Sequence, residues 1–175
     1  MKSLFKRFII LSVFIFFVFT FVMQPVQIVG DSMSLFLNNH DLVFVNKVVF
    51  SLESIQRFDI VVIDNKKTKN QIIKRVIGLP GEYIEYKDDV LYINGHIVEE
   101  DFLDIDFVKE MKMIYNSRCF TDDFVYQVQD DEIFVLGDNR KKSQDSRVYG
   151  GFRLNDIVGV NGFVYYPISR FKFLN

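Results

Sequence analysis

Hydrophobic and polar positions divide the chain into an apolar N-terminal segment and a longer part of short alternating runs. Residues 8–23 contain no charged side chain and would span roughly 24 Å as a helix. That length is slightly short for a bilayer core of about 30 Å, unless residues 24–26 extend the segment. We therefore predict a transmembrane helix that Pro25 ends.

The basic residues around this segment predict its orientation. Lys2, Lys6 and Arg7 precede it, and the next basic residue is Lys47. The positive-inside rule then places the N-terminus in the cytoplasm and the rest outside. A cleaved signal peptide is the alternative, since the length also suits its apolar region. No small-x-small cleavage pattern follows Met23, which favours an uncleaved anchor.

Short runs rich in β-branched and aromatic residues follow Pro25, separated by turn signals, and predict strands. Asn94-Gly95 is the strongest hairpin signal. The acidic residues 99–123 show only weak helical periodicity, around 107–115. The predicted strands are 26–29, 42–49, 60–63, 71–78, 83–86, 90–93, 96–98, 132–136 and a last pair within 156–166.

These elements predict a mainly β protein: a compact, barrel-like or coiled antiparallel sheet domain preceded by one N-terminal transmembrane helix. Its predicted parts are a cytoplasmic tail (1–7), a transmembrane signal anchor (8–24) and an extracytoplasmic domain (25–175). A chain of 175 residues can build one such domain with its own core.

Composition removes several classes of function. The net charge of −2 gives no electrostatic case for binding nucleic acid. Cys119 is the only cysteine in the sequence, so no intrachain disulfide can form. The few Cys and His residues do not suggest a zinc site of the usual kind, and we expect neither a metal nor a cofactor.

Lys74 is the first candidate for chemistry. Side chains alternate across a strand, so Lys74 shares a face with Ile72 and Val76, while Arg75 lies on the other. Desolvation between aliphatic neighbours would lower the pKa of Lys74 below about 10.4 and make it a usable general base. The alternative is a surface Lys-Arg pair on an edge strand.

Ser32 is the candidate nucleophile, at a turn that begins at Gly30. A serine hydroxyl needs a base within hydrogen-bond reach. His40 lies in a turn and His96 follows the hairpin turn, so neither is well placed to be that base. A Ser-Lys dyad is therefore favoured over a Ser-His-Asp triad, and a plain turn serine is the alternative.

Four segments occur in a fixed order along the chain, and together they resemble the type I signal peptidases, in the Gram-positive form with one N-terminal anchor. The last two segments are long and specific. The segments are Val29-Gly30-Asp31-Ser32-Met33, Arg57-Phe58-Asp59-Ile60-Val61, Lys74-Arg75-Val76-Ile77-Gly78-Leu79-Pro80-Gly81 and the run from Gly137-Asp138-Asn139-Arg140 to Gly150.

The resemblance implies roles for individual residues. Ser32 would be the nucleophile, with its backbone N–H as oxyanion donor, and Lys74 the general base. Ser143 matches the hydroxyl that orients the lysine amine. The remaining implied residues are a supporting pair (Asp145, Arg147), a structural pair (Arg75, Asp138) and a substrate groove (Ile28, Val29, Met33, Leu37, Ile72, Ile73).

The chain departs from the family pattern after the nucleophile. Leu35, Phe36 and His40 stand where the family has Pro, Thr and Gly, while Leu37 and Asp41 are kept. Gly30 also stands where some relatives have a second oxyanion donor. We expect the bulkier side chains to reshape the wall near the pocket for the residue before the scissile bond.

Two functions follow from the resemblance. The first is a membrane-bound serine endopeptidase that cleaves N-terminal signal peptides from exported precursors at the outer face of the cell membrane. Its partners would be those precursors and the lipid bilayer. The second is a non-catalytic or specialised accessory factor, similar to signal peptidases, for assembly of surface proteins such as pili. The dyad of soluble self-cleaving repressors is a third reading, which the anchor argues against.

Overall fold

The N-terminal helix leads directly into the first strand of the main sheet. The computed structural model describes residues 2–48 and 54–174. Helix α1 (Lys2–Phe21) contains an 18-residue window with mean hydropathy 2.2, long and apolar enough to cross a membrane. The helix ends at Phe21, and Met23–Gln27 form strand β1, earlier than the predicted strand at 26–29.

Pro25 does not end the helix, so that prediction is wrong; it lies within β1, which can hold a proline because it is at the end of the sheet. Among the described strands, β1 pairs only with β2 (Leu42–Asn46). A proline has no N–H to donate, and an edge strand can accept it where that N–H would face away from the partner. The predicted end of the strand at Val49 lies outside the described residues.

The larger sheet is an open, coiled antiparallel sheet. Its order is β1-β2-β11-β3-β4-β9-β10, with β12 also paired to β11. The prediction of a mainly β, coiled antiparallel domain after an N-terminal helix is confirmed, and the sheet does not close into a barrel. The further strands are β3 (Ile60–Asn65), β4 (Asn70–Gly78), β9 (Glu132–Leu136), β10 (Phe152–Arg153), β11 (Ile157–Tyr166) and β12 (Lys172–Leu174).

A second sheet lies within residues 83–127, with order β7-β6-β5-β8. Asn94 and Gly95 join β6 to β7 with φ of 52° and 80°, as the hairpin signal predicts. Helix α2 (Ile105–Ile114) starts earlier than the weak periodicity suggests, because the Asp104 side chain accepts a hydrogen bond from the Phe107 N–H. The strands are β5 (Tyr83–Lys87), β6 (Val90–Ile93), β7 (His96–Val98) and β8 (Phe124–Gln127).

The last predicted pair of strands is a single strand, β11. Asn161 and Gly162 resemble a turn, but they form a bulge at which the pairing with β2 shifts. A Cβ at Gly162 would lie 1.8 Å from the Phe44 carbonyl oxygen, so only glycine fits this close approach. β11 therefore continues through the bulge to pair with β12.

Strand β4 runs through the centre of the packing. Ile73, Val76 and Ile77 each belong to a different one of the three buried apolar clusters. The strand pairs with β3 along residues 70–75 and with β9 only from Arg75 onward. Residues 70–74 therefore keep one side unpaired among the described strands.

Candidate active site

Ser32 and Lys74 meet at the end of this unpaired segment. Lys74 Nζ lies 2.7 Å from Ser32 Oγ and 2.9 Å from the Ile73 carbonyl oxygen. The lysine is 3% exposed. Burial lowers the pKa of Lys74 from 10.5 to about 8, and the charges of Asp145 and Asp138 offset only part of that effect. A neutral amine at this distance can accept the hydroxyl proton.

The loop after β9 holds the serine from its other side. The Asn139 N–H donates to the Ser32 carbonyl at 2.9 Å, and the Asn139 side-chain amide donates to Ser34 Oγ at 3.0 Å. The Asp138 N–H points to Met33 Sδ at 3.5 Å. Residues 32–34 are therefore positioned by the Gly137-Asp138-Asn139 segment as well as by their own turn.

Asp145 and Arg147 form the predicted supporting pair. Arg147 Nε and Nη2 donate to the two Asp145 oxygens at 2.9 and 2.8 Å, and the Gly137 N–H donates to Oδ2 at 3.1 Å. Burial would raise the pKa of the Asp145 carboxyl, but the hydrogen bonds and charge of Arg147 hold it below its ordinary value. Asp145 also caps the short helix α3 (Ser146–Tyr149).

Arg75 and Asp138 form a second buried pair on the opposite face of β4 from Lys74. Arg75 Nε and Nη2 each donate to Asp138 at 2.8 Å, and both side chains are at most 2% exposed. Arg75 Nη1 donates to the Phe58 carbonyl at 2.9 Å, and the guanidinium stacks on Phe102. Because Arg75 faces away from Ser32 and Lys74, its pair with Asp138 is placed to act structurally.

Ser143 lies beside the dyad but does not hydrogen-bond to Lys74. Its buried Oγ makes no hydrogen bond to Lys74 and lies near the Asp145 carboxylate, whose pKa it helps to lower. The hydroxyl packs over Gly137, where an added Cβ would lie 2.3 Å from Ser143 Oγ and 2.6 Å from the Ser32 carbonyl oxygen. The second hydrogen bond of Lys74 goes to Ile73 instead, so the predicted orienting contact is not made in this structure.

A cleft of about 590 Å³ lies beside the dyad, between residues 25–29 and residues 70–74. Ile28, Val29, Ile72 and Ile73 line it as predicted, together with Ser32 and Lys74.

Met33 and Leu37 depart from that prediction, because both are buried in the core rather than in the cleft lining. The Leu37 N–H donates to the Met33 carbonyl at 2.6 Å, and this single helical turn places both side chains on one inward face.

The departures after the nucleophile lie outside this cleft. Phe36 packs against the core, with Lys172 Nζ 3.8 Å from the centre of its ring. Neither Leu35 nor Phe36 lines the cleft, contrary to the expectation that they reshape its wall. His40 adopts φ 70°, the left-handed conformation that a glycine takes without strain.

Sequence reasoning missed Arg140, which is buried in the same loop. The sequence places it in the Gly137-Asp138-Asn139-Arg140 segment, but its side-chain hydrogen-bond partners lie far away in the chain.

His40 and His96 are both exposed, and neither contacts Ser32.

A serine hydroxyl beside a buried lysine amine, next to an unpaired strand segment, is the arrangement of a serine peptidase with a Ser-Lys dyad. The family model for "Signal peptidase, peptidase S26" matches residues 1–166. The chain belongs to this signal peptidase family, and it is a hydrolase that cleaves signal peptides.

Several known signal peptidases are similar to this chain along most of its length. Signal peptidase I P of Bacillus subtilis subsp. natto is 39% identical over 170 residues, covering 95% of this chain and 90% of the relative. Signal peptidase I of Bacillus caldolyticus is 40% identical over 160 residues, covering 87% and 85%. The crystal structure of a signal peptidase I from Enterococcus faecalis V583 matches with a TM-score of 0.52 at 37% identity, covering 61% of this chain and 96% of that one.

These relatives confirm the prediction of a Gram-positive type I signal peptidase. Nothing in them favours the accessory alternative.

Proposed function

We propose that Ser32 attacks the scissile carbonyl of the precursor while Lys74 accepts the hydroxyl proton. The observation that carries this proposal is the 2.7 Å contact between Lys74 Nζ and Ser32 Oγ, made by an amine whose pKa burial lowers to about 8. Among the described hydrogen bonds of Ser32, none involves a histidine that could act as the base in place of Lys74.

The reaction then has two steps. In the first, the Ser32 Oγ–carbon bond forms and the peptide C–N bond breaks, and Lys74 passes its proton to the leaving amine. In the second, water attacks the acyl carbon while Lys74 accepts its proton. The Ser32 Oγ–carbon bond then breaks, Lys74 returns the proton to Ser32 Oγ, and the signal peptide leaves with a free carboxyl end. The Ser32 backbone N–H is the proposed donor to the oxyanion of both tetrahedral intermediates.

The substrate proposal rests on the unpaired side of residues 70–74. An extended precursor segment can add to such an edge through backbone hydrogen bonds, while alternate side chains point into the cleft. Ile28, Val29, Ile72 and Ile73 give this cleft aliphatic walls close to Ser32. The proposed substrates are exported precursors that carry an N-terminal signal peptide.

The proposed location is the outer face of the cell membrane, with α1 as a single anchor and the N-terminus in the cytoplasm. Lys2, Lys6 and Arg7 support this orientation. Because α1 continues almost directly into β1, the sheet that carries the dyad would lie close to the bilayer surface.

Cleavage of a labelled precursor by the full-length protein in lipid vesicles tests the proposal. Ser32→Ala should abolish product formation, because no second hydroxyl approaches Lys74 Nζ among the described contacts. Ser169→Ala is the matched control and should keep the activity, since Ser169 is exposed in the short turn after β11 and makes no hydrogen bond to Ser32 or Lys74. Cleavage at the wild-type rate by Ser32→Ala would overturn the assignment.

A further inference from the structure

The Arg140 guanidinium, which belongs to the loop of the main sheet, is held by groups from the second sheet. Its side chain is fully buried. Nη1 donates to Tyr86 Oη at 2.7 Å and to Thr121 Oγ1 at 3.1 Å, and Nη2 donates to Glu100 Oε1 at 2.6 Å. Tyr86 lies on β5, Glu100 follows β7, and Thr121 precedes β8. Nε closes the set on the Gly137 carbonyl at 3.0 Å.

The other end of this connection reaches the nucleophile. Asn139, the neighbour of Arg140, donates its N–H to the Ser32 carbonyl. The Arg140 carbonyl accepts from Arg147 Nη2 at 2.8 Å, and Arg147 also holds Asp145. The loop between Gly137 and Arg147 therefore contacts Ser32 through Asn139 and the second-sheet region through Arg140, with a more exposed ion pair from Lys141 to Asp122 beside it.

We propose that Arg140 is a positioning residue whose ion pair with Glu100 makes the second sheet set the place of Ser32 relative to Lys74. This inference rests on the proposed function of the dyad. Neither Arg140 nor Glu100 lines the cleft between residues 25–29 and 70–74, so they act through the loop and do not contact the substrate there.

The buried ion pair explains why the loop would depend on Glu100. An arginine stays charged, and leaving a buried charge without its partner is strongly unfavourable. Burial alone would lower the pKa of Arg140, yet Tyr86 and Glu100 raise it above its ordinary value, which shows how closely these groups surround the cation. Without the Glu100 charge, the guanidinium must move toward water and carry the Gly137–Arg140 turn with it.

The test uses the full-length protein in lipid vesicles with a labelled precursor. Glu100→Gln keeps the size of the side chain and removes its charge. We expect kcat to fall about tenfold or more, since a displacement of about 1 Å can cost about a hundredfold, while KM stays within about twofold. Tyr86→Phe removes one hydroxyl and keeps the ring, so it should lower kcat in the same direction by a smaller factor.

Glu82→Gln is the matched control. Glu82 forms a bidentate pair with Arg57 at 2.6 and 2.9 Å, also between the two sheets, but it has no contact with the loop between Gly137 and Arg147. This variant should lose thermal stability while its kcat per folded molecule, with the folded fraction taken from circular dichroism, stays within about twofold of wild type.

Three results would overturn the inference. The first is a wild-type kcat in Glu100→Gln. The second is a rise in KM at constant kcat. The third is an equal loss of kcat in the Glu82→Gln control, which would mean that the loss reflects stability alone. If Glu100→Gln does not fold, Tyr86→Phe decides by the same criteria. Cleavage by Ser32→Ala would instead overturn the proposed function itself, so the two failures are distinguishable.

Discussion

The chemistry proposed for Lys74 follows from the unfavourable free energy of burying an ammonium group. Because burial lowers the pKa of Lys74 to about 8, a growing fraction of the enzyme holds the neutral amine as the pH rises through that value. We expect kcat/KM to increase with pH and level off above about 8, reporting the base of the free enzyme. A pH series on the labelled precursor measures this, and a profile that follows a group titrating near 6.5 would contradict it.

Lys74→Arg separates the charge of this residue from its ability to lose a proton. A guanidinium stays protonated in this pH range, so the variant should be inactive although it keeps the positive charge. Product formation by Lys74→Arg above the Ser32→Ala background, in the same vesicle assay, would rule out Lys74 as the base.

The same pKa makes Lys74 a source of instability. The folded protein releases the Lys74 proton near pH 8 and the unfolded chain only near 10.5, so the unfolded state binds more protons between these values. The free energy of unfolding therefore rises with pH across that window and carries the full penalty below pH 8. The difference in pKa corresponds to about 3 kcal/mol.

Lys74→Met should remove this penalty. We expect the variant to be more stable than wild type by up to about 3 kcal/mol at pH 7, with the gap closing toward pH 10.5. Denaturant unfolding of both proteins in the same detergent at pH 7 and pH 10 measures the difference between them. A difference that does not change with pH would show that Lys74 is not the titrating group.

For individual residues, the sequence predicts which way a side chain faces where the geometry of a strand or a turn determines it. The alternation of β4 correctly separates Lys74 from Arg75. It cannot show that Met33 and Leu37 turn inward, because that depends on one hydrogen bond within a short helical turn. It also cannot show that Lys74 hydrogen-bonds to the Ile73 carbonyl and not to Ser143, since this contact is set by the folded chain.

Among the elements, β4 carries the dyad lysine on one face and the structural Arg75 on the other. Arg75→Ala would leave the Asp138 carboxylate buried without its partner, which costs about 3–5 kcal/mol. We expect Arg75→Ala to lower thermal stability more than it lowers activity per folded molecule below the unfolding transition.

Lys109→Ala is the control for Arg75→Ala, because its pair with Asp106 is exposed and should contribute little. Thermal unfolding and precursor cleavage are measured for wild type, Arg75→Ala and Lys109→Ala. A folded, equally stable Arg75→Ala protein that is as inactive as Lys74→Arg would place Arg75 in the chemistry instead.

The sequence predicts a helix, strand or turn correctly where local signals determine it. The prediction fails where tertiary contacts override those signals. Asn94-Gly95 forms the hairpin that its sequence predicts, with both residues at the positive φ that such a turn requires. Asn161-Gly162 has the same dipeptide but remains inside β11, since the strand on either side is paired to β2. Helix α2 was visible only as a weak pattern, and its Asp104 cap fixes the start that periodicity leaves open.

For the whole molecule, aromatic contacts join the helix to the domain. Phe19 of α1 lies 5.1 Å from Phe44 of β2, which stacks on Tyr165 at 4.3 Å. Phe171 and Phe173 continue this surface and remain exposed. An aromatic surface continuous with a helix long and apolar enough to cross a membrane is suited to the interface between lipid and water. It would keep the dyad close to the point where a precursor leaves the bilayer.

The single cysteine allows the proposed orientation to be tested without adding a reporter. Cys119 is partly exposed and lies in the second sheet region, far along the chain from α1. If the domain faces outward, a membrane-impermeant maleimide should label wild-type protein in intact cells, and Cys119→Ser should remove the label.

Moving the only thiol to the N-terminal end of α1 gives the matched control. A Ser3→Cys, Cys119→Ser protein should react only after the cells are lysed, because the basic N-terminus would stay in the cytoplasm. The opposite pattern, with Ser3→Cys labelled in intact cells and Cys119 protected until lysis, would invert the topology. It would also place the Ser32–Lys74 pair on the side of the membrane that exported precursors leave, where it could not process them after export.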